Sequence, residues 1–204
     1  MAGYLVDAIV RRPESIGSIE AASIEACDLT ATDLARPVLE RLVHHRGGVD
    51  VMVFNVAALV TGEFQSLTRD DFERAFQASV GAAVTCVQAV LPGMLERGVG
   101  TLLFTGATAS IRGSSGFSAF AAAKFALRGL VQALAREHQP HGIHVAHIVL
   151  DGLLQGSPSV ARFAGKASVA LDPDEVARTY VGLAAQAPSA WTHELDLRHH
   201  EERF

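Results

Sequence analysis

The chain has 204 residues, 49% of them hydrophobic and 19% charged, a balance that suits one folded domain over 1–204 and excludes a disordered segment. With 17 Lys and Arg against 22 Asp and Glu, the net charge is −5, which excludes the basic face that nucleic acid or an anionic membrane would require. The nine His are scattered, and the pairs His44-His45 and His199-His200 are adjacent rather than one helical turn apart, so no metal site is expected.

The elements alternate from the start. Tyr4–Val10 is an apolar, β-branched strand ended by Arg11-Arg12-Pro13, and a short irregular piece leads to a second strand at Ser23–Leu29. Leu34, Val38, Leu39 and Leu42 recur at helical spacing, and Gly47-Gly48 supplies the stop. Val49–Val56 is continuously apolar, as a strand buried on both faces must be. Thr68 with Asp71 three residues on forms a capping box for a helix near 69–77. A second helix runs to about Arg97 and Gly98. Its apolar core, roughly Val80 to Leu95, is interrupted by Thr85, Gln88 and Pro92 and is too short for a bilayer span. Gly100–Gly106 is another buried strand, Phe117–His138 a long helix, and Ile143–Leu150 a further strand. Asp172-Pro173 opens the last helix, with Asp as cap and Pro in its first position. Trp191–Leu197 alternates as a final strand. Strands alternating with helices predict βαβ units and a parallel α/β sheet of about six strands. Cys27 and Cys86 follow a start without a basic, apolar leader and are expected to be free thiols of a cytoplasmic protein.

Several of these segments, in this order, are similar to landmarks of the short-chain dehydrogenase/reductase family. They are Ala26–Thr30, Asp50–Ala57, Leu91–Met94, Phe120 to Lys124 in the place of a Tyr-x-x-x-Lys motif, and Gly142–Gly152. The resemblance covers roughly residues 4–204. It implies a Rossmann-like, doubly wound sheet, an NADP- or NAD-linked oxidoreductase, and a small carbonyl or alcohol substrate. It also implies cofactor contacts from Asp28, Asn55 and Lys124, and a preference for NADP(H) carried by Arg11 and Arg12. Family members pair through the helices near 79–97 and 117–138, which implies a homo-oligomer.

The departures bear on activity. The family's first strand and helix carry a glycine-rich loop that lets the backbone approach the cofactor pyrophosphate. No such strand–helix unit stands before Tyr4. Phe120 occupies the position of the proton-donating Tyr, Ala107 that of the Ser that bonds the substrate oxygen, and Ser79 that of an Asn that orders a water. Of the catalytic set only Lys124 persists. Thr105 and Thr108, which flank Ala107, are the nearest replacements for the lost hydroxyls. Asp28 has a second reading as a turn or capping residue before Thr30.

Three functions are consistent with this pattern: a weak or inactive carbonyl reductase, a non-catalytic relative that binds or pairs, and a chain whose natural start lies about 30 residues upstream, the size of a strand–helix unit. The resemblance places the absent strand at the centre of the sheet. Unpaired backbone groups there would be costly, so the sheet is expected to close, with Tyr4–Val10 pairing directly with Val49–Val56 in the order 2-1-3-4-5-6. The lost helix would bare apolar surface, which the segment at 13–22 or a partner is expected to cover.

Overall fold

The computed structural model describes residues 3–15, 21–157 and 170–201. Those residues form six strands, parallel within their sheets: β1 (Asp7–Val10), β2 (Ser23–Ala26), β3 (Val51–Phe54), β4 (Gly100–Thr105), β5 (Ile143–Asp151) and β6 (Glu194–Arg198). Among the described residues five α-helices accompany them: α1 (Thr32–Arg46), α2 (Arg69–Phe76), α3 (Ala82–Arg97), α4 (Ser118–His138) and α5 (Pro173–Ala184). The expected helix boundaries follow from their caps. Thr68 Oγ1 accepts from the Asp71 N–H while the Asp71 carboxylate accepts from the Thr68 N–H. Asp172 caps α5 through the Asp174 N–H at 2.8 Å. Gly47 and Gly98 end α1 and α3 at φ values of 69° and 66°, in the left-handed region where a side chain is disfavoured.

The alternation of the strands sets two layers. Leu102, Phe104, Ile143 and Val145 point to one face and pack with α1, α3 and α4. Leu103, Ala146, Ile148 and Leu150 point to the other and pack with Val176, Tyr180 and Leu183 of α5. Helices on both faces make the sheet doubly wound, and β4 and β5 are buried throughout.

Two expectations are corrected. The helices near 69–77 and up to Arg97 are not separate. A π turn at Gln77–Gly81 carries α2 into α3, giving one helix over 69–97 of 29 residues. By length and composition this helix would suffice to cross a membrane, and half of its most apolar 18-residue window is buried inside the protein. The apolar core read as too short for a span is thus part of a longer helix, because the π turn joins two segments that local signals divide.

The second correction concerns the sheet. β1 pairs with β2 alone, and β3 opens a separate four-stranded sheet in the order β3-β4-β5-β6. The expected pairing of β1 with β3 does not form. The cause lies in what holds β1 and what fills the layer beneath. Asp7 of β1 accepts from both Arg46, at the end of α1, and Ser23 of β2. Leu39 and Val43 of α1 pack against Cys86 and Val90 of α3, which keeps α1 at a fixed spacing from the β3 layer. β1 travels with α1 and β2, and a slot of about 790 Å³ remains between it and β3. Tyr4, Leu5 and Val6 precede β1 as exposed chain rather than strand. Pro13–Ser15 forms a 3-10 turn, and residues 16–20 of the expected covering segment lie outside the described residues, as do 158–169 of the loop after β5.

Candidate functional site

In open α/β sheets ligands meet the carboxyl ends of the strands, and the sequence-predicted residues sit there in two separate groups. The first gathers at the end of β4. Lys124, only 3% exposed, projects from α4, and its Nζ donates to the backbone oxygen of Thr105 at 2.9 Å. Burial pushes its pKa down to about 8, because the ammonium has lost water and gained one carbonyl. One turn earlier on α4 stands Phe120, whose ring centroid lies 5.8 Å from the same Nζ. The residue meeting this lysine at that position is thus an aromatic ring without a hydroxyl. Ala107 follows β4 in extended backbone, and its N–H donates to Ser110 Oγ. Ser79 lies in the π turn, fully buried, its Oγ without a hydrogen-bond partner.

The second group lies beyond β1 and β2. Asp28 Oδ1 accepts from both the N–H and the hydroxyl of Thr30, at 2.9 and 2.7 Å. Those two bonds, with a smaller pull from Arg11, hold its pKa below the ordinary carboxylate range. Asp28 therefore closes the turn into α1, the local role weighed beside the ligand role. Arg11 and Arg12 are exposed. Asn55 is exposed after β3 and stands at the slot between the two groups.

The structure adds residues that sequence reasoning passed over. Thr108 Oγ1 donates to Asp151 Oδ1 in a short hydrogen bond, and Asp151 Oδ2 pairs with Arg198 at 3.2 Å. The hydroxyl named as a replacement for the lost Ser is therefore already engaged by a buried carboxylate. Thr105 Oγ1 is engaged too, with Tyr180 OH at 2.8 Å. The fully buried His147 meets Glu194 through Nδ1 at 3.1 Å, and Glu194 is gripped by both Arg128 nitrogens at 2.6 and 2.7 Å. Desolvation keeps the His147 pKa below its ordinary value. Its Nε2 would touch a Cβ at position 106 at 2.3 Å, so the turn after β4 requires glycine there. Two histidines, His144 and His147, inside the otherwise apolar strand Ile143–Leu150 were the available signal, since buried polar groups need partners.

Residues 5–155 match the family model described as short chain dehydrogenase. The chain belongs to the short-chain dehydrogenase/reductase family. A mouse 3-ketodihydrosphingosine reductase is 29% identical over 157 residues, covering 73% of this chain and 47% of its own length. The chain thus spans about half the length of this curated relative. A short-chain dehydrogenase from Rhodopseudomonas palustris is 33% identical, with a TM-score of 0.75 over 96% of this chain and 87% of its own. A metagenomic short-chain oxidoreductase, solved in complex with NADP, shares the fold at a TM-score of 0.80 and 22% identity, over 98% of this chain and 87% of its own.

Members of this family bind NADP or NAD, which sets a test for the residues present. The ends of such a cofactor find candidates in Asp28 with Arg11 and in Lys124. Its middle does not. Among the described residues the space between β1 and β3 is walled by apolar side chains, and the one cation lining it, Arg46, is bound by Asp7 at 2.6 Å. No glycine-rich turn or free cation there meets a pyrophosphate, so the described residues do not fit the whole dinucleotide.

Proposed function

We propose that this chain, on its own, is a short-chain dehydrogenase/reductase relative that holds a nicotinamide dinucleotide weakly and does not reduce small carbonyl compounds at an ordinary enzymatic rate. The observation that carries this reading is the environment of Lys124. A lysine beside a phenol can ease loss of the phenolic proton, but Lys124 stands beside the Phe120 ring and spends its Nζ on the Thr105 carbonyl. The threonine hydroxyls that flank Ala107 in the chain are committed as well, Thr105 to Tyr180 and Thr108 to Asp151. Loss of a positioned proton donor typically costs about 10²–10⁴ in rate. Arg11 is the group on which any preference for NADP(H) over NAD(H) would rest, through its place beside Asp28.

Calorimetric titration of the full chain with NADPH and with NADH tests the binding half of this reading. The expected dissociation constant is no tighter than about 0.1 mM, or −5.5 kcal/mol. Low-micromolar affinity for either would overturn it.

A second reading, pairing of two copies through the helix over 69–97 and α4 as a non-catalytic partner, is favoured by one feature at the α2 end of that helix. A cavity of about 870 Å³ lined by Phe72, Phe76, Ala119 and Ala123 opens beside α4, and Phe76 is half exposed there. The mass of the chain in solution decides it.

A further inference from the structure

Lys124 is a buried amine without a counterion among the described residues. It is 3% exposed, and its Nζ meets the Thr105 carbonyl at 2.9 Å. The charges around α4 are satisfied elsewhere. On α4 itself Arg128 grips Glu194 of β6, which also meets His147 of β5. His147, its own pKa lowered by desolvation, brings no negative charge. On α2, which packs against α4, Arg69 pairs with Glu73 and Arg74 with Asp71. Burial therefore acts on the ammonium unopposed, and with a pKa of about 8 roughly a tenth of the group is free amine near pH 7, against less than about 0.1% of an ordinary lysine. The neutral amine can keep its bond to Thr105 by donating one N–H, which leaves its lone pair available. A lysine desolvated in this way is a nucleophile toward a carbonyl carbon.

The surroundings select the reaction partner. The end of β4 is not sealed, because Phe120, Ala107 and Thr108 are half-buried rather than buried. Phe120 presents an apolar ring to the lysine, its centroid 5.8 Å from Nζ. A molecule that reaches Nζ past these residues is small. It is also uncharged, since the charges nearby are already paired with one another and an unpaired charge is costly to bury. An imine is neutral, so the burial that disfavours the ammonium does not oppose its formation.

We propose that Lys124 forms a reversible imine with small uncharged aldehydes. The amine lone pair bonds the carbonyl carbon, the carbonyl π pair moves to oxygen, and a proton passes from nitrogen to that oxygen. The resulting carbinolamine loses its hydroxyl and its last N–H proton as one water, which leaves the C=N bond. The step uses no dinucleotide, oxidant or reductant. It shares the environment of Lys124 with the reading above but not the claims on dinucleotide binding and carbonyl reduction, so its failure would leave that reading standing.

The sequence makes the test clean, because it contains two lysines, Lys124 and Lys166, the second outside the described residues. The full chain is incubated with acetaldehyde near pH 8, reduced with sodium borohydride and mapped by peptide mass spectrometry, which reads Lys124, Lys166 and the N-terminal amine separately. Lys124 should gain an N-ethyl group at least about tenfold faster than free Nα-acetyl-lysine amide, in keeping with its larger share of free amine. The rate should level off as pH rises through about 8, whereas that of the amide should keep rising toward 10.5. Denaturing the chain in guanidinium should abolish the advantage. Glyoxylate, an anionic aldehyde, should show an advantage over the amide at least about tenfold smaller than acetaldehyde does, because its charge would be buried unpaired. No N-ethyl group on Lys124 in the folded chain, a rate equal to that of the amide, an advantage that survives denaturation, or an equal advantage with glyoxylate would overturn the proposal.

Discussion

The sheet of β3–β6 and the pair β1–β2 share parallel geometry and differ in what covers them. In the first, β4 and β5 are buried at every residue, with helices on both faces. In the second, no residue of β1 or β2 is fully buried, and β2 alternates between half-buried and exposed. Backbone pairing is equally regular in both. The difference teaches that pairing alone does not make a stable sheet, since most of the stabilisation comes from apolar area removed from water. The two-stranded half is held instead by α1, through Ile9 in the core and the ion pair from Asp7 to Arg46.

Truncation should expose that asymmetry most strongly. Phe104→Ala removes a fully buried ring packed against Phe54, at a centroid distance of 6.1 Å. It is expected to cost about 3–5 kcal/mol in denaturant unfolding. Ile9→Ala in β1 is expected to cost only about 1 kcal/mol, since its side chain is partly in water already. Equal losses would break the comparison.

The next effect is one of pH. The folded-state pKa of Lys124, about 8, lies below the ordinary value of 10.5, so between those values the unfolded chain binds more protons. Stability contributed by this group therefore rises as pH climbs from about 8 to 10.5, by on the order of 3 kcal/mol. In Lys124→Met that rise should vanish from the stability–pH curve.

Asp7 gives a smaller effect than Lys124, in the opposite pH direction. Two hydrogen bonds from Arg46 and one from Ser23 bring its pKa from 3.8 to about 2. Its contribution is present above pH 3.8 and lost as pH falls through about 2. Both side chains keep some contact with water, so Asp7→Asn should cost only about 1–2 kcal/mol near neutrality, less in high salt. That loss should be accompanied by faster amide exchange in β1 and β2 while β4 and β5 stay protected.

The buried half was legible in the sequence because its signals are local. Continuous apolar runs marked β3, β4 and β5, the Thr68–Asp71 box and Asp172-Pro173 marked helix starts, and Gly47 and Gly98 marked stops. The π turn was not legible, since Ser79 and Gly81 in Gln77–Gly81 weaken a helix without specifying a change of register. Closure of the sheet was wrongly expected because unpaired edges were weighed without the packing of Leu39 and Val43 beneath α3. In the site, the spacing of Phe120 and Lys124 was legible. The partners of Thr105, Thr108 and His147 were not, because Tyr180, Asp151 and Glu194 lie 75, 43 and 47 residues away along the chain.

On the proposed reading, two separate deficits stand between this chain and carbonyl reduction: no proton donor beside Lys124, and no cradle for the middle of a dinucleotide between β1 and β3. The double variant Phe120→Tyr with Ala107→Ser restores only the first. Its turnover of simple aldehydes and ketones, measured with NADPH at about 10 μM, well below the expected dissociation constant, is the most direct test. The account predicts no turnover above the uncatalysed background. A rate near 1 s⁻¹, within the ordinary range for enzymes, would contradict it.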